Sequence, residues 1–281
     1  MLEKIQCGRF ELDLKRPQVM GVLNVTPDSF SDGGDFFCKD LALRHTERMI
    51  EDGAAIIDVG GESTRPGADT VSVQEELDRV VPLVEAIAGH FPVIVSVDTS
   101  TPEVMSAVAG AGAGMLNDVR ALQRDGALEV AAQTNLTICL MHMQGQPSNM
   151  QENPLYADDV VTAVGDFFRK RIDVCVAVGV NKARLLLDPG FGFGKTLGHN
   201  LNLLASLKKF EEFGLPLLAG LSRKSMIGAI TGKSVEHRLA GSVAAAVIAA
   251  ANGAKIIRVH DVAETVDALK MVSAVEGVVC E

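Results

Sequence analysis

Short apolar runs that end in polar residues or glycine recur eight times along the chain. Between successive runs, the sequence takes on the spacing of apolar residues that is typical of helices. A strand, a crossover helix and a second, parallel strand form the βαβ unit, so this repetition predicts a parallel sheet. The eight runs cover residues 19–24, 55–60, 93–98, 115–118, 137–142, 185–189, 217–222 and 255–260.

Start and stop signals bound two of the intervening helices. The residues from Ser72 to Glu75 have the pattern of a capping box, which predicts a helix that ends at Gly89. Thr101 precedes a proline and is the predicted N-cap of a helix that ends near Gly110.

Eight strand–helix units predict an α/β fold of the (β/α)8 TIM-barrel type. A doubly wound sheet has five or six strands and fits the count less well. Residues 3–14 alternate between polar and apolar around Gly8, and we expect them to form a β-hairpin that covers the bottom of the barrel. The expected organisation is one domain over residues 1–281, with the hairpin within 1–16 and the barrel over 17–281.

The composition limits the kinds of molecule that this protein can bind. The 281-residue chain has a net charge of −10, one tyrosine and no tryptophan, whereas nucleic-acid grooves need basic charge and stacking rings. Its five cysteines never form a CxxC, which indicates reduced thiols rather than disulfides or a zinc site. The start lacks the apolar core of a signal peptide, and the longest apolar run, 243–251, is half of a membrane span. We therefore expect a cytoplasmic protein that binds neither nucleic acid nor membranes.

Polar side chains are concentrated at the ends of the predicted strands, where barrels of this type hold their active sites. Residues two apart on a strand share a face, so Arg258 and His260 are predicted to project together, as are Ser222 and Lys224 if that strand extends so far. Charges inside a barrel mouth are costly unless they are paired or bind a ligand, so this set indicates function. Its members are Asn24, Asp58, Asp98, Asn117, Asp118, His142, Asp188, Ser222, Lys224, Arg258 and His260.

Several members also have a purely structural interpretation. Asp98 could cap a helix, although Thr101 already supplies that cap. Asn117 and Asp118 could shape the exit of their strand, and Asp188 begins an Asp-Pro-Gly turn.

For other members the alternatives are a surface ion pair or a place in the core. Arg258 and His260 could pair with Asp261 or Glu264 as surface charges, although inward projection favours function. His142 is expected to be a satisfied core residue without a catalytic role. Asp58 could simply support the turn that follows its strand.

Three loops carry further signals. Residues 188–196 superficially suggest a phosphate loop, but the Walker pattern requires glycine where Pro189 stands. Residues 60–67 contain a hydroxyl and a guanidinium that could hold an anion. Residues 26–34 are polar and end in glycine, as expected of a mobile lid.

Eight short motifs lie in order between residues 20 and 260. They are 20–34 (MGVLNVTPDSFSDGG), 60–67 (GGESTRPG), 96–99 (SVDT), 117–118 (ND), 141–143 (MHM), 188–195 (DPGFGFGK), 222–225 (SRKS) and 257–260 (IRVH). Together they resemble the motifs of the dihydropteroate synthase family, and no functional position departs from the family pattern.

The resemblance implies a reaction. The family condenses 6-hydroxymethyl-7,8-dihydropterin diphosphate with 4-aminobenzoate, which gives 7,8-dihydropteroate and pyrophosphate in folate biosynthesis. We therefore expect a transferase of alkyl or aryl groups other than methyl. An SN1-like course suits it, because a neutralised diphosphate leaves readily and the pterin ring delocalises the resulting cation.

The resemblance also implies a role for each site residue. The catalytic residues are Asp98, Lys224, Arg258 and His260. The pterin pocket is formed by Asp98, Asn117, Asp188 and Lys224. The diphosphate is held by Asn24, Thr64, Arg258 and His260, with Asn24 also near Mg²⁺. The 4-aminobenzoate pocket, for which sulfonamides should compete, is formed by Phe30, Arg65, Pro66, Phe193, Ser222 and Lys224.

Two other functions are weighed against the synthase. A pterin-binding carrier domain, which presents methyltetrahydrofolate to a corrinoid protein, would share the barrel and the pterin carboxylates. It would need neither the diphosphate residues nor the aminobenzoate loops, both of which are present here. A non-catalytic assembly protein would have no use for an inward polar ring.

The alanine-rich stretch 236–252, followed by Gly253, predicts a helix that is apolar nearly all round. One contact with the sheet cannot cover such a helix. We therefore expect a homodimer through the last two helices, since a twofold contact is the commonest closed assembly.

Overall fold

The computed structural model describes residues 2–25, 35–61, 71–145, 150, 154–156 and 159–279. The first two strands, β1 (Lys4–Cys7) and β2 (Phe10–Asp13), form an antiparallel hairpin. Gly8 turns the chain between them with a φ of +59°, a conformation that glycine adopts without strain. The predicted hairpin is confirmed.

Eight parallel strands close into a barrel, as predicted. Neighbours follow one another in chain order around the circle, and β10 pairs with β3 to complete it. The strands are β3 (Gln18–Asn24), β4 (Ile56–Gly60), β5 (Ile94–Asp98), β6 (Met115–Asp118), β7 (Thr137–Met141), β8 (Leu185–Asp188), β9 (Leu217–Gly220) and β10 (Ala254–Val259). Four of them end one or two residues before the predicted boundary, most notably β9, which stops at Gly220.

Helices connect the strands around the outside of the barrel. The α-helices are α1 (Asp35–Glu51), α2 (Val73–His90), α3 (Pro102–Gly110), α4 (Ala127–Gln133), α5 (Val160–Ala177), α6 (Leu197–Ala205), α7 (Ser225–Thr231), α8 (Leu239–Ala251) and α9 (Val262–Val279). Short 3-10 helices lie over Lys182–Arg184, Leu207–Phe213 and Val235–His237. Of the helices described, none combines the length and the apolar character that crossing a membrane requires.

Of the predicted helix starts, one is confirmed as predicted and two differ in detail. The capping box of α2 is present, because the Glu75 N–H donates to Ser72 Oγ and the Ser72 N–H donates to a Glu75 carboxylate oxygen 2.9 Å away. Thr101 stands at the N-cap of α3, but its side chain makes no capping bond and donates instead to Glu76. The predicted helix over 236–252 is shorter. It begins at Leu239, after a separate 3-10 turn, because the Arg238 guanidinium ties the chain to backbone carbonyls of Arg223 and Lys233.

The bottom of the barrel is filled by one cluster of apolar side chains. It takes one residue from each barrel strand, namely Met20, Ile56, Ile94, Met115, Cys139, Leu186, Leu218 and Ile256. Four residues of the N-terminal segment, Ile5, Cys7, Leu12 and Leu14, complete it. A set with one member per strand lies on the inner face, so the hairpin covers the lower end of the barrel, and the site must lie at the other end.

Candidate active site

Strand alternation identifies the side chains that face into the barrel mouth. Residues two positions beyond the inner apolar cluster share its face, because successive side chains on a strand point to opposite sides. These inward positions are Val22, Asp58, Ser96, Asn117, Met141, Asp188, Gly220 and Arg258. One step further up lie Asn24, Gly60 and Asp98. The mouth of the barrel is therefore polar above an apolar floor.

Arg258 joins three strands across this mouth. Its Nε donates to Asp58 Oδ2 at 2.6 Å, and its Nη2 donates to Asp98 Oδ2 at 3.1 Å. Asn117 Nδ2 donates to the same Asp58 oxygen at 3.1 Å. Burial lowers the pKa of Arg258, but the charges of Asp58 and Asp98 outweigh it and raise that pKa above its usual range. The surface pairing with Asp261 or Glu264 is therefore wrong for Arg258.

Asp188 stands at the end of β8 with only 6% of its surface exposed. Its Oδ1 accepts a hydrogen bond from the Gly190 N–H at 2.7 Å, which leaves Oδ2 for the pocket. Gly190 has a φ of +68°, and a Cβ there would lie 2.0 Å from the His142 carbonyl, so only glycine fits. Burial raises the pKa of Asp188, while the Lys224 charge opposes the rise. The carboxylate is thus both the start of a turn and a group directed into the site.

Lys224 reaches the pocket from a turn rather than from a strand. The expectation that Ser222 and Lys224 share a strand face is wrong, since β9 ends at Gly220. Arg223, between them, has a φ of 58°, and its guanidinium pairs with Asp261. This strained turn sends Lys224 Nζ to the Phe191 carbonyl and to 4.6 Å from the centre of the Phe193 ring.

The Lys224 ammonium lies among charges that shift its pKa. Burial lowers its pKa to about 8, and the charge of Asp188 opposes the decrease. Gly220 lies beside both cations, since a Cβ there would be in ordinary contact with Arg258 Cβ at 3.8 Å and with Lys224 Nζ at 4.0 Å. Two cations therefore converge on a pocket that also holds carboxylates.

Ser222 and His260 lie together at the rim. The His260 N–H donates to Ser222 Oγ at 3.2 Å, and His260 Nδ1 is 3.0 Å from the same hydroxyl. These residues were expected to serve different substrates, one the aminobenzoate and the other the diphosphate. Their contact places these two predicted sets of residues next to each other.

Asn24 stands at the top of β3, beside Asp98. A Cβ built on Gly60 would lie 3.7 Å from Asn24 Oδ1 and 3.6 Å from Asp98 Cβ, so Gly60 separates the two side chains. Among the residues described, no group of three His, Cys, Asp or Glu side chains could hold a metal ion. One amide oxygen suits only a hard cation such as Mg²⁺ that takes its other ligands from substrate phosphate and water. The donor set here fits that mode of binding.

Neighbouring polar residues at the same strand ends have structural roles. Asp118 follows Asn117 and so faces outward, where it accepts hydrogen bonds from Ser100 and from two backbone N–H groups of the β6 exit. Shaping of the strand exit thus applies to Asp118, whereas Asn117 faces the mouth, where its function stays a prediction.

His142 is a core residue, as predicted. Its ring packs edge-on against Phe167 with centroids 4.9 Å apart, and burial with the nearby Lys195 charge lowers its pKa to about 3. Lys195 itself is buried, and its Nζ donates to the carbonyls of Gly190 and Phe193 at 2.9 Å. Sequence reasoning assigned Lys195 no role, and the structure shows it fixing the loop after β8.

For Asp58 the alternative of supporting a turn is wrong. It is 0% exposed and, instead of supporting the turn after β4, it bonds across the barrel to Asn117 and Arg258. Its inward alternation with Ile56 was a signal that could have revealed it.

Known proteins share both the sequence and the geometry described above. A profile of the family described as pterin binding enzyme matches residues 20–260. A dihydropteroate synthase of Escherichia coli (strain K12) is 59% identical over 263 residues, which are 94% of this chain and 93% of that protein. The chain belongs to the dihydropteroate synthase family of pterin-binding enzymes.

Solved structures of the family agree with this fold. A Yersinia pestis dihydropteroate synthase in a sulfonamide drug complex has a TM-score of 0.92 and 57% identity, covering 98% of this chain and 99% of that one. A Xanthomonas albilineans dihydropteroate synthase with 4-aminobenzoic acid has a TM-score of 0.92 and 49% identity, with the same coverage. The chain is an enzyme of the transferase type that these relatives represent.

Four predicted site residues of this dihydropteroate synthase family member lie outside the described residues. They are Phe30, Thr64, Arg65 and Pro66. The described part brings together Asn24, Asp98, Asn117, Asp188, Phe193, Ser222, Lys224, Arg258 and His260 at one mouth of the barrel.

Proposed function

We propose that the chain condenses 6-hydroxymethyl-7,8-dihydropterin diphosphate with 4-aminobenzoate, forming 7,8-dihydropteroate and pyrophosphate. The observation that carries this proposal is the convergence of acceptors and cations at one barrel mouth. Asp98, Asn117 and Asp188 supply the acceptors, and Lys224 and Arg258 supply the charge. Membership of the dihydropteroate synthase family supports the same reaction.

The pterin ring is the substrate part that suits the deep end of the pocket. Asp188 Oδ2 can accept hydrogen bonds from the 2-amino group and the adjacent ring N–H, in the manner that carboxylates favour. Asn117 and Asp98 offer oxygens to the other ring edge. Lys224 Nζ lies 4.6 Å from the centre of the Phe193 ring and within the influence of the Asp188 charge, where it can donate a hydrogen bond to the pterin.

The chemical step breaks the bond between the methylene carbon and the diphosphate oxygen. The electron pair leaves with the diphosphate, and the cation that remains is delocalised into the pterin ring beside the Asp98 carboxylate. The aminobenzoate nitrogen then attacks the methylene carbon and loses a proton. Arg258 and His260, with Thr64, bind the diphosphate and offset its charge in a chain whose net charge is −10.

Asn24 is the residue that would hold Mg²⁺ together with the diphosphate oxygens. The cation would neutralise part of the charge that develops on the leaving group. With Asn24 as its ligand among the described residues, the ion would belong to the substrate complex rather than to the free enzyme.

The second substrate fits the rim. Phe193, Ser222 and Lys224 line one side of it, and Phe30, Arg65 and Pro66 are proposed to complete the 4-aminobenzoate pocket. Sulfonamides resemble 4-aminobenzoate and should compete for this pocket, as the sulfonamide complex of the Yersinia relative supports. The enzyme would thus be a transferase of alkyl or aryl groups other than methyl.

We also propose a homodimer through α8 and α9. Helix α8 buries Ser242 and four alanines against the protein but leaves Ile248 47% exposed. On α9, Met271, Val275 and Val278 are each more than 60% exposed. Apolar side chains in this number on adjacent helices are typical of an interface.

We further propose that the chain is a single domain, that it is cytoplasmic and that its cysteines are reduced thiols. Three of these thiols, Cys7, Cys139 and Cys175, are buried.

The test is the release of pyrophosphate from the pterin diphosphate with and without 4-aminobenzoate. We expect release that depends on the added amine, with dihydropteroate formed in equal amount. A methyltetrahydrofolate carrier or an assembly protein would release no pyrophosphate. Absence of release, or release that does not depend on 4-aminobenzoate, would therefore contradict the proposal.

A further inference from the structure

Asp58 lies at the centre of the site without facing the substrate directly. It is 0% exposed, on the inner face of β4, and its Oδ2 accepts from two residues that are predicted to touch substrate. Those residues, Asn117 and Arg258, come from strands on either side of it. A carboxylate in this place acts through its neighbours.

The bond from Asn117 decides which way that amide faces. A carboxylate paired with a guanidinium has no proton to donate, so Asn117 must turn its Nδ2 toward Asp58. The amide oxygen is then the atom left for the pocket. Asn117 therefore joins Asp98 and Asp188 as an acceptor, and the pocket selects a ligand edge that carries N–H groups.

The bond from Arg258 fixes the guanidinium plane. Nε is held by Asp58 at 2.6 Å and Nη2 by Asp98 at 3.1 Å, so two of its five N–H donors are engaged inside the barrel. The remaining donors keep a fixed direction because the guanidinium is planar. Asp58 thereby links the orientation of a pterin residue to that of a diphosphate residue.

A second observation indicates that Asp58 is part of a binding site rather than of the core. Its Oδ1 and the hydroxyl of Ser96, its register partner on β5, are buried and lack a hydrogen-bond partner among the described residues. Buried polar atoms without partners are costly in an ordinary core. Here they lie at the same inward level as Asn117 and Asp188 and one step below Asp98.

We propose that Asp58 is a positioning residue for the reaction, which holds the Asn117 oxygen toward the pterin and locks the Arg258 guanidinium. This inference rests on the proposed function. It adds that the donor and acceptor pattern of the pocket is set by a residue that does not contact the pterin.

The first experiment measures the binding of 6-hydroxymethylpterin by calorimetry. In Asp58→Ala the acceptor shared by Arg258 and Asn117 is lost, so the Asn117 amide can face either way, and we expect the Kd to rise at least tenfold. The steady-state KM for the pterin diphosphate should rise in parallel, while the KM for 4-aminobenzoate stays within twofold. Glu76→Ala is the matched control, because Glu76 is a buried carboxylate that is bonded to Thr99 and Thr101 instead of to the pocket.

The conservative variant Asp58→Asn can keep one oxygen against both Arg258 Nε and Asn117 Nδ2, the two donors that Asp58 Oδ2 accepts from. We expect it to bind the pterin at least tenfold more tightly than Asp58→Ala does. A role confined to stability would show no such difference at equal melting temperature.

The outcomes separate this inference from the proposed function. Failure of the wild type to bind the pterin would contradict the proposed function. A wild type that binds, with Asp58→Ala within threefold of it or equal to Glu76→Ala, would overturn the positioning role. If Asp58→Ala does not fold, neutron diffraction of the wild type decides. Deuterium on the Asn117 amide facing Asp58 supports the inference, and the reverse orientation overturns it.

Discussion

Asp188→Asn is the substitution whose effect the structure defines most closely. Asp188 Oδ1 accepts the Gly190 N–H at 2.7 Å, so an asparagine must keep its oxygen there to retain that bond. Its Nδ2 then replaces Oδ2 and faces the N–H edge of the pterin. The variant therefore sets a donor against a donor in a pocket where the residue is only 6% exposed.

The magnitude follows from the loss of one charge-assisted hydrogen bond and the creation of a buried mismatch. Together they should cost about 2–4 kcal/mol of binding free energy. This corresponds to a rise of roughly 30- to 1000-fold in the Kd of the pterin.

Folding should be affected much less than binding. Burial raises the pKa of Asp188 above its ordinary value of 3.8, so the folded chain binds the proton more tightly than the unfolded chain. The free energy of unfolding therefore falls as pH rises through this range and stays lower above it. Asparagine carries no such penalty, and the melting temperature at pH 7.5 should stay within a few degrees of the wild type.

The assay is calorimetric titration with 6-hydroxymethylpterin, next to a melting curve of each protein. Asp173→Asn, on the exposed side of α5, is the control and should bind as the wild type does. A Kd within threefold of the wild type for a folded Asp188→Asn would refute the assignment of this carboxylate to the pterin edge.

Three other substitutions test the buried ion pair of Arg258, the buried Lys195 and the proposed dimer contact. Arg258→Met leaves the buried Asp58 without its cation and should lower the free energy of unfolding by about 3 kcal/mol in urea titration, whereas the exposed Arg169→Met should change it by less than about 1 kcal/mol. In the wild type, burial lowers the Lys195 pKa to about 7, so the unfolded chain holds a proton that the folded chain loses, and stability should rise with pH above 7. Lys195→Met should reduce this slope by about 1 kcal/mol per pH unit, and parallel slopes would contradict the assignment. Ile248→Asp places a charge at the proposed dimer contact and should halve the mass measured by light scattering, while a wild type that is already monomeric at micromolar concentration would exclude the dimer.

The barrel could be predicted because its signal is local and repeated. Eight apolar runs with helices between them leave few topologies, and the alternation around Gly8 was enough to place the hairpin. The boundaries were less certain where a strand gives way to a turn. The extension of β9 to Ser222 failed because the chain leaves the sheet at Gly220 and turns through Arg223 in a left-handed conformation.

The sequence predicts the site only where the alternation of side chains along a strand shows which residues face inward. Asn117 and Asp118 are both polar and adjacent, and only the structure shows that the first faces the pocket and the second the strand exit. The partners of Asp58 were out of reach for another reason. Arg258 lies 200 residues further along the chain, and the sequence pattern holds no register between β4 and β10 that would join them.

A crystal structure with 6-hydroxymethylpterin, pyrophosphate and Mg²⁺ bound would show directly whether the barrel mouth is the substrate site. We expect the pterin ring inside the mouth, with its N–H edge about 2.7–3.2 Å from Asp188 Oδ2 and the Asn117 amide oxygen close to the opposite edge. It also predicts pyrophosphate against Arg258 and His260. A pterin bound elsewhere, for example in the groove that Arg169 and Phe210 line outside the barrel, with the inward carboxylates free of it, would contradict the account.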